Sequence, residues 1–191
     1  MEEDGSIFRS TMDSEVVLHL IARSRKETLE AMIAEALNRV KGAYSFVFMT
    51  KQQLIAARDP HGFRPLCMGK MDDMWVFASE SCAFDLIGAT YIREVEPGEM
   101  CVVGAGGMTS IRFAKAAKRL SQCIFEFIYF SRPDSKVFGE NVDKVRRELG
   151  RRLAEESSAE ADIVIAVPDS SNTIALGYSE RSRIPFELGL I

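Results

Sequence analysis

Two periodicities divide the chain. From Ser14 to Gly42 apolar residues recur at helical spacing, from Ala43 to Phe113 they alternate in twos, and past Asn141 helix-like and strand-like runs take turns. Asp13 followed by Ser14-Glu-Val-Val-Leu-His-Leu-Ile-Ala22 predicts a buried helix with an acidic N-cap. Ser24 with Glu27 three residues on has the form of a capping box. Leu29, Met32, Ile33, Leu37 and Val40 then make the apolar stripe of a second helix, which Gly42 ends.

The alternating stretch predicts strands over 43–50, 54–58, 66–71, 75–79, 91–95, 99–103 and 108–113. Lys51–Gln53, Asp72-Asp73, Pro97-Gly98 and Gly104–Gly107 supply the turns. Short strands with few helices between them make an antiparallel sheet, and the two early helices would cover one face. Basic residues 114–122 lack strand character and read as a linker. Cys123–Phe130 reads as an aromatic-rich strand broken by Arg132-Pro-Asp-Ser135. Asn141–Ser157 reads as a helix with Val142, Val145, Leu149 and Leu153 on its apolar side and Arg146, Arg147, Arg151 and Arg152 opposite. Asp162–Val167 is the β-branched run expected of a strand buried on both faces. A helix over 173–180 and a strand over 185–188 complete the opening of a parallel α/β sheet. The fold class expected is thus an α+β layer followed by the start of an α/β domain.

At 191 residues the chain suits one domain or parts of two, and 47% hydrophobic with 27% charged residues describe a globular protein. A net charge of −4 argues against nucleic acid or an anionic membrane as partner. No apolar run approaches the roughly 18 residues that span a bilayer. The acidic start Met1–Asp4 resembles neither a signal nor a transit peptide, and the apolar end Leu190-Ile191 reads as an interrupted domain. Cys67, Cys82, Cys101 and Cys123 are widely spread with no C-x-x-C pair, the pattern of buried free thiols in a reducing compartment.

Candidate chemistry is sparse. There is no G-x-S-x-G, Walker loop or G-x-G-x-x-G, and the two histidines, His19 and His61, read as a core and a turn residue. Asp13 either caps a helix or pairs with the α-ammonium of an amino acid. In Arg58-Asp-Pro-His-Gly-Phe-Arg64 the charges either lock the turn among themselves, or Arg58 and Arg64 face an anionic ligand or a neighbouring domain. Pro168-Asp-Ser-Ser-Asn-Thr173 lies where a strand end meets a helix start. It is either an ordinary cap or a phosphate-binding loop.

Taken in order, the segments Thr11–Ala22, Gly42–Val47, Arg58–Leu66, Ala78–Asp85, Glu96–Met100, Phe125–Ser135, Val164–Ser170 and Pro185–Ile191 resemble the amidophosphoribosyltransferases, the glutamine phosphoribosylpyrophosphate amidotransferases of purine synthesis. The resemblance implies an N-terminal-nucleophile glutaminase domain, here residues 1–122, joined to the start of a phosphoribosyltransferase domain, residues 123–191. It implies transfer of glutamine-derived ammonia to phosphoribosyl pyrophosphate, giving phosphoribosylamine. Asp13 falls on the aspartate that holds the glutamine amino group. Ser170 falls on a serine of the magnesium and pyrophosphate site. Cys123 falls on the first of four ligands of a 4Fe–4S cluster found in some branches. A homo-oligomer in the cytoplasm, or in a plastid if the source is a plant, is implied as well.

Several family features have no counterpart in these residues. They are the N-terminal nucleophilic cysteine, the glutamine-carboxylate arginine, the Asn-Gly oxyanion hole, the phosphoribosyl pyrophosphate loop and three cluster cysteines. The expectation is therefore a fragment inactive by itself, binding neither magnesium nor a cluster. The alternatives are a non-catalytic interaction or assembly protein that keeps the interdomain core, and a small nucleotide-binding module built on the Ser170 loop.

Overall fold

In the computed structural model, which describes Gly5 and residues 7–191, the helical stripe at the start of the chain folds as α1, Glu15–Arg23, and α2, Leu29–Arg39. The acidic start Met1–Asp4 lies outside the described residues. Ser14, not Asp13, is the N-cap of α1, and neither Ser14's side chain nor a capping box closes the helix start. The α2 cap is Thr28, whose hydroxyl accepts the Ala31 N–H at 3.3 Å. The Ser24–Glu27 signature therefore misplaces that start by four residues. Ser24 is instead the C-cap of α1, and its hydroxyl bonds Glu35. The helix α1 buries only Val17 and Leu20, and α2 stops at Arg39 ahead of Gly42.

The alternating run gives β1, Ser45–Met49; β2, Leu54–Arg58; β3, Cys67–Met71; β4, Met74–Ala78; β5, Thr90–Glu94; β6, Glu99–Gly104; and β7, Gly107–Arg112. All pair antiparallel, in one sheet of order β1-β2-β6-β7 and another of order β4-β3-β5. Gly104 pairs with Gly107, so this glycine run is a two-residue hairpin turn, with Gly107 at φ +96°. A short helix that the pattern does not reveal, α3, Cys82–Ile87, follows β4 and ends on left-handed Gly88.

The chain divides into two compact units, residues 1–61 with 96–120 and residues 62–95 with 121–191. In the first, Val17, Ile33, Leu37, Tyr44, Ile55, Ala57, Met100 and Val102 form one buried cluster in which α1 and α2 meet the four-stranded sheet. Burial at about 25 cal/mol per Å² of apolar surface is its main source of stability. Burial, and then the Asp59 carboxylate, push the Tyr44 phenol up.

The second unit packs Phe84 and Ala89 against Cys67, behind the three-stranded sheet. Its later part corrects the sequence reading at three places. Cys123–Phe130 is not a strand: 126–130 is a π-helical turn, closed by Ser131 N–H to the Glu126 carbonyl at 3.0 Å. A two-stranded ribbon follows, β8 over Lys136–Val137 and β9 over Glu140–Asn141, leading into α4, Val142–Glu156. The face that α4 buries is Val142, Arg146, Gly150 and Ala154, while Leu149 and Leu153 are 38% and 49% exposed. Gly150 and Gly177 decide this. A Cβ at Gly150 would lie 1.9 Å from the Ile174 carbonyl oxygen, and one at Gly177 2.1 Å from that of Arg147. Backbone contact with α5, Asn172–Ser182, therefore requires the small-residue face rather than the leucine face.

The third correction concerns 162–167. Val164 makes a single parallel bridge to Phe186, and Ile163, Ile165 and Val167 are 51%, 46% and 69% exposed. A strand is buried on both faces only when neighbours flank it. Within these residues one bridge is all that forms.

Candidate functional site

Asp13 lies in the first unit, in the turn that enters α1. Its carbonyl accepts the Val16 N–H at 3.3 Å, and its side chain is exposed. Glu15 organises the segment in front of it. One carboxylate oxygen accepts the Arg9 N–H at 2.8 Å, and the other accepts the Ser10 N–H at 2.9 Å and the Ser10 hydroxyl at 2.5 Å. The Ser10 hydroxyl and the Arg9 amide, with a smaller contribution from His19, hold this carboxyl down to about 2. Alongside runs an open groove of about 370 Å³ lined by Arg9, Met12, Ser14, Leu18, Phe46 and Phe48. An exposed carboxylate at such a groove can pair with an ammonium group.

In the Arg58–Leu66 segment Asp59 ties down the turn through backbone N–H groups. Arg58 and Asp59 are 1% and 0% exposed. Asp59 accepts the His61 N–H at 2.8 Å and the Tyr44 N–H at 3.4 Å, and its own N–H donates to the Tyr44 carbonyl at 3.0 Å. His61 stays exposed in the turn, and His19 lies on α1 with its Nε2 3.8 Å from Glu15. Arg64 belongs to the second unit and is partly exposed, with a carboxylate as its partner. Its Nη1 lies 2.7 Å from Glu126 Oε1, and its guanidinium sits 4.7 Å over the Phe130 ring.

Ser170 and Cys123 also lie in the second unit. Ser170 is half-buried in the loop between the Val164 bridge and α5, one residue ahead of the α5 N-cap, Ser171. The Ser171 hydroxyl bonds the Val167 carbonyl, and Asn172 N–H donates to Asp169 O at 3.2 Å. Thr173 Oγ1, in the first turn of α5, is buried with no hydrogen-bond partner. A loop feeding a helix start can receive a phosphate on backbone N–H groups.

Cys123 is half-buried, and its N–H donates to the Phe63 carbonyl at 3.1 Å. The other three cysteines are buried on β3, α3 and β6 and form no disulfide. Among the described residues no group of three or more His, Cys, Asp or Glu could hold a metal.

What sequence reasoning misses is the set of buried polar groups in the second unit. Arg146 and Glu126 are 1% and 6% exposed, and Ser131 and Ser135 are 2% and 0%. For Arg146 a signal exists: it shares a four-residue spacing with Val142, Gly150 and Ala154, and only that stripe is small enough for close helix contact.

The early helices and the antiparallel sheets make an α+β layer. A profile of the family described as glutamine amidotransferase domain matches residues 1–85. The whole chain aligns with amidophosphoribosyltransferases: it is 53% identical over 191 residues to that of Bacillus subtilis, and 52% identical over 192 residues to the chloroplastic amidophosphoribosyltransferase 1 of Arabidopsis thaliana. All of this chain is covered in both, with 40% of the first relative and 34% of the second. A solved structure of the B. subtilis glutamine phosphoribosylpyrophosphate amidotransferase, complexed with ADP and GMP, superimposes with a TM-score of 0.94 over all of this chain and 42% of its own. In sequence and in fold the chain is thus similar to amidophosphoribosyltransferases over all its 191 residues, and it spans about two fifths of the length of the B. subtilis relative. Among the described residues no helix is long and apolar enough to cross a membrane.

Proposed function

We propose that the chain serves the glutamine-dependent synthesis of phosphoribosylamine, with residues 1–122 belonging to the glutaminase domain and 123–191 opening the phosphoribosyltransferase domain. In the complete enzyme glutamine is hydrolysed at the first domain, and the ammonia displaces pyrophosphate from phosphoribosyl pyrophosphate at the second. This is the first committed step of purine synthesis. The observation that carries the reading is the 53% identity, unbroken over 191 residues, to an enzyme whose fold superimposes at a TM-score of 0.94.

Within that reading Asp13 holds the α-ammonium of glutamine. Support comes from its exposed side chain beside an open groove and from Ser14 taking the cap position. Ser170 belongs to the loop that meets pyrophosphate and its magnesium, supported by its position one residue ahead of the α5 cap. Cys123 marks a cluster-ligand position without the ligand set, so no step runs through a cluster. The four thiols of these 191 residues are internal to the chain, and none is the N-terminal nucleophile that glutamine hydrolysis needs.

The test is a chimera in which residues 1–191 replace the matching segment of the B. subtilis enzyme. Glutamine-dependent phosphoribosylamine synthesis is the expected outcome. In that background Asp13→Asn is expected to raise the KM for glutamine at least tenfold and leave ammonia-dependent synthesis unchanged. A chimera that folds and binds phosphoribosyl pyrophosphate but makes no product overturns the reading in favour of a non-catalytic assembly protein. The purified 191-residue chain is expected to release no ammonia from glutamine.

A further inference from the structure

The glutamine amidotransferase profile runs to Asp85, yet residues 62–95 belong to the same compact unit as 121–191. No strand of β4-β3-β5 pairs with the later ribbon β8-β9. Apart from the Cys123 N–H donated to the Phe63 carbonyl, side chains make the connection described next. Glu80, in the turn after β4, accepts the Arg132 N–H at 2.8 Å and the Ser135 hydroxyl at 2.7 Å on one oxygen. The neighbouring Ser81 hydroxyl accepts the Lys136 N–H at 2.7 Å. Glu94, at the end of β5, accepts the Gly139 N–H at 3.1 Å. The loop 132–139 thus has three backbone N–H groups held by side chains from 80–94.

A second layer secures that loop from behind. Glu126, paired through one oxygen with Arg64, accepts the Ser131 hydroxyl at 2.9 Å on the other. Arg146 of α4 donates to the Ser131 carbonyl at 2.8 Å and also to the Phe127 carbonyl. Burial lowers the tendency of Arg146 to stay charged, and Glu80 and Asp143 oppose that. Hydrogen bonds to charged groups are the strong ones, and a buried charge left without its partner is costlier still.

We propose that residues 62–95 and 121–156 open and move as one cooperative unit, with Glu80 and Arg146 as its joint. A displacement of α4 then reaches the turn between β4 and α3 through loop 131–136, instead of being absorbed in residues 114–122. The mechanical boundary lies within the stretch matched as glutamine amidotransferase, at 61/62, and not only at 120/121. The inference stands on contacts inside one unit and does not depend on the proposed reaction, so the chimera assay leaves it untouched.

Residue-resolved hydrogen exchange on the 191-residue chain, with and without Glu80→Gln, tests it. In the unaltered chain the best-protected amides of β3, β4 and α4 are expected to share one opening equilibrium and one urea dependence. Glu80→Gln is expected to speed exchange about tenfold in β3, β4 and α4 together, leaving β2 and β6 unchanged. Acceleration confined to 132–136, or β3 and β4 exchanging in step with β2 and β6, overturns the proposal. Should Glu80→Gln fail to fold, Ser81→Ala serves. Removal of the single acceptor of the Lys136 N–H is expected to produce a smaller acceleration shared by β4 and α4, and acceleration on one side alone overturns the proposal equally.

Discussion

In the first unit the least exposed large apolar side chains are Ile33, Leu37, Ile55 and Met100, and they belong to one cluster. In the second, Phe84 and Val142 are as deeply buried, but so are Arg146 and Ser135, and Glu126 and Ser131 nearly so. The first unit also buries charge, Arg58 and Asp59 at the end of β2, where Asp59 ties down a turn, and Glu99 at the start of β6, where it accepts the Ser110 hydroxyl. In the second the charged groups run through the middle of the connection between its two stretches of chain. Apolar burial is tolerant of position, because it depends on area removed from water. A buried guanidinium needs carbonyls at fixed places. The second unit therefore has more to lose from a small displacement and less from a small loss of volume.

The sharpest way to break the comparison is one packing change in each unit. Leu37→Ala, at a 1% exposed position, should cost about 3 kcal/mol through transfer and cavity. Gly150→Ala adds a single carbon, yet it should cost about 2 kcal/mol or more, because the new Cβ meets backbone that cannot give way. Urea denaturation measures both. Hydrogen exchange should place the first loss in β2 and β6 and the second in α4 and α5. A neutral Gly150→Ala would mean that the two helices are not in backbone contact.

Helix caps give a smaller and more even pair. Thr28 caps α2, and Asn141 caps α4 by accepting the Lys144 N–H at 3.0 Å. Either change to Ala should cost about 1 kcal/mol by urea denaturation. Similar values would confine the contrast between the units to their cores. A markedly larger loss for Asn141→Ala would extend it to the helix ends.

The smallest effect is local and depends on pH. Glu15 has its carboxyl held down to about 2 by hydrogen bonds that its ionised form accepts. A depressed folded value means stability that is present above the ordinary glutamate value of 4.5 and lost as pH falls toward 2. Acidification through that window should loosen residues 9–15, read as faster amide exchange at Arg9 and Ser10. Glu15→Gln should abolish the pH dependence.

The contrast also sorts what was legible in advance. The seven strands of the two sheets lie within a residue or two of the alternating runs, since period two has one structural meaning when turns of Asp, Gly and Pro bound it. The run Cys123–Phe130 looked like a strand because aromatic residues favour strands, but residues 126–130 form a π-helical turn held by Glu126, Ser131 and Arg146. Of the candidate site residues, Asp13 and Ser170 were legible as positions in a pattern, and Cys123 only as a lone thiol. Glu80 gave no sign, because its partners are 52 and 55 residues away in the chain.

The sequence by itself determined the kind of protein, the two early helices and the seven strands of the two sheets, and the spacing that brings Arg146 onto the same helical stripe as Gly150. Those depend on composition and on neighbours within a few residues. Only the tertiary structure decided which face of α4 turns inward, that the run 162–167 is left with one bridge, and that residues ahead of position 95 are fastened to residues beyond 121. Each of those outcomes depends on which distant backbone group lies within hydrogen-bonding or van der Waals reach, and no local pattern encodes that distance.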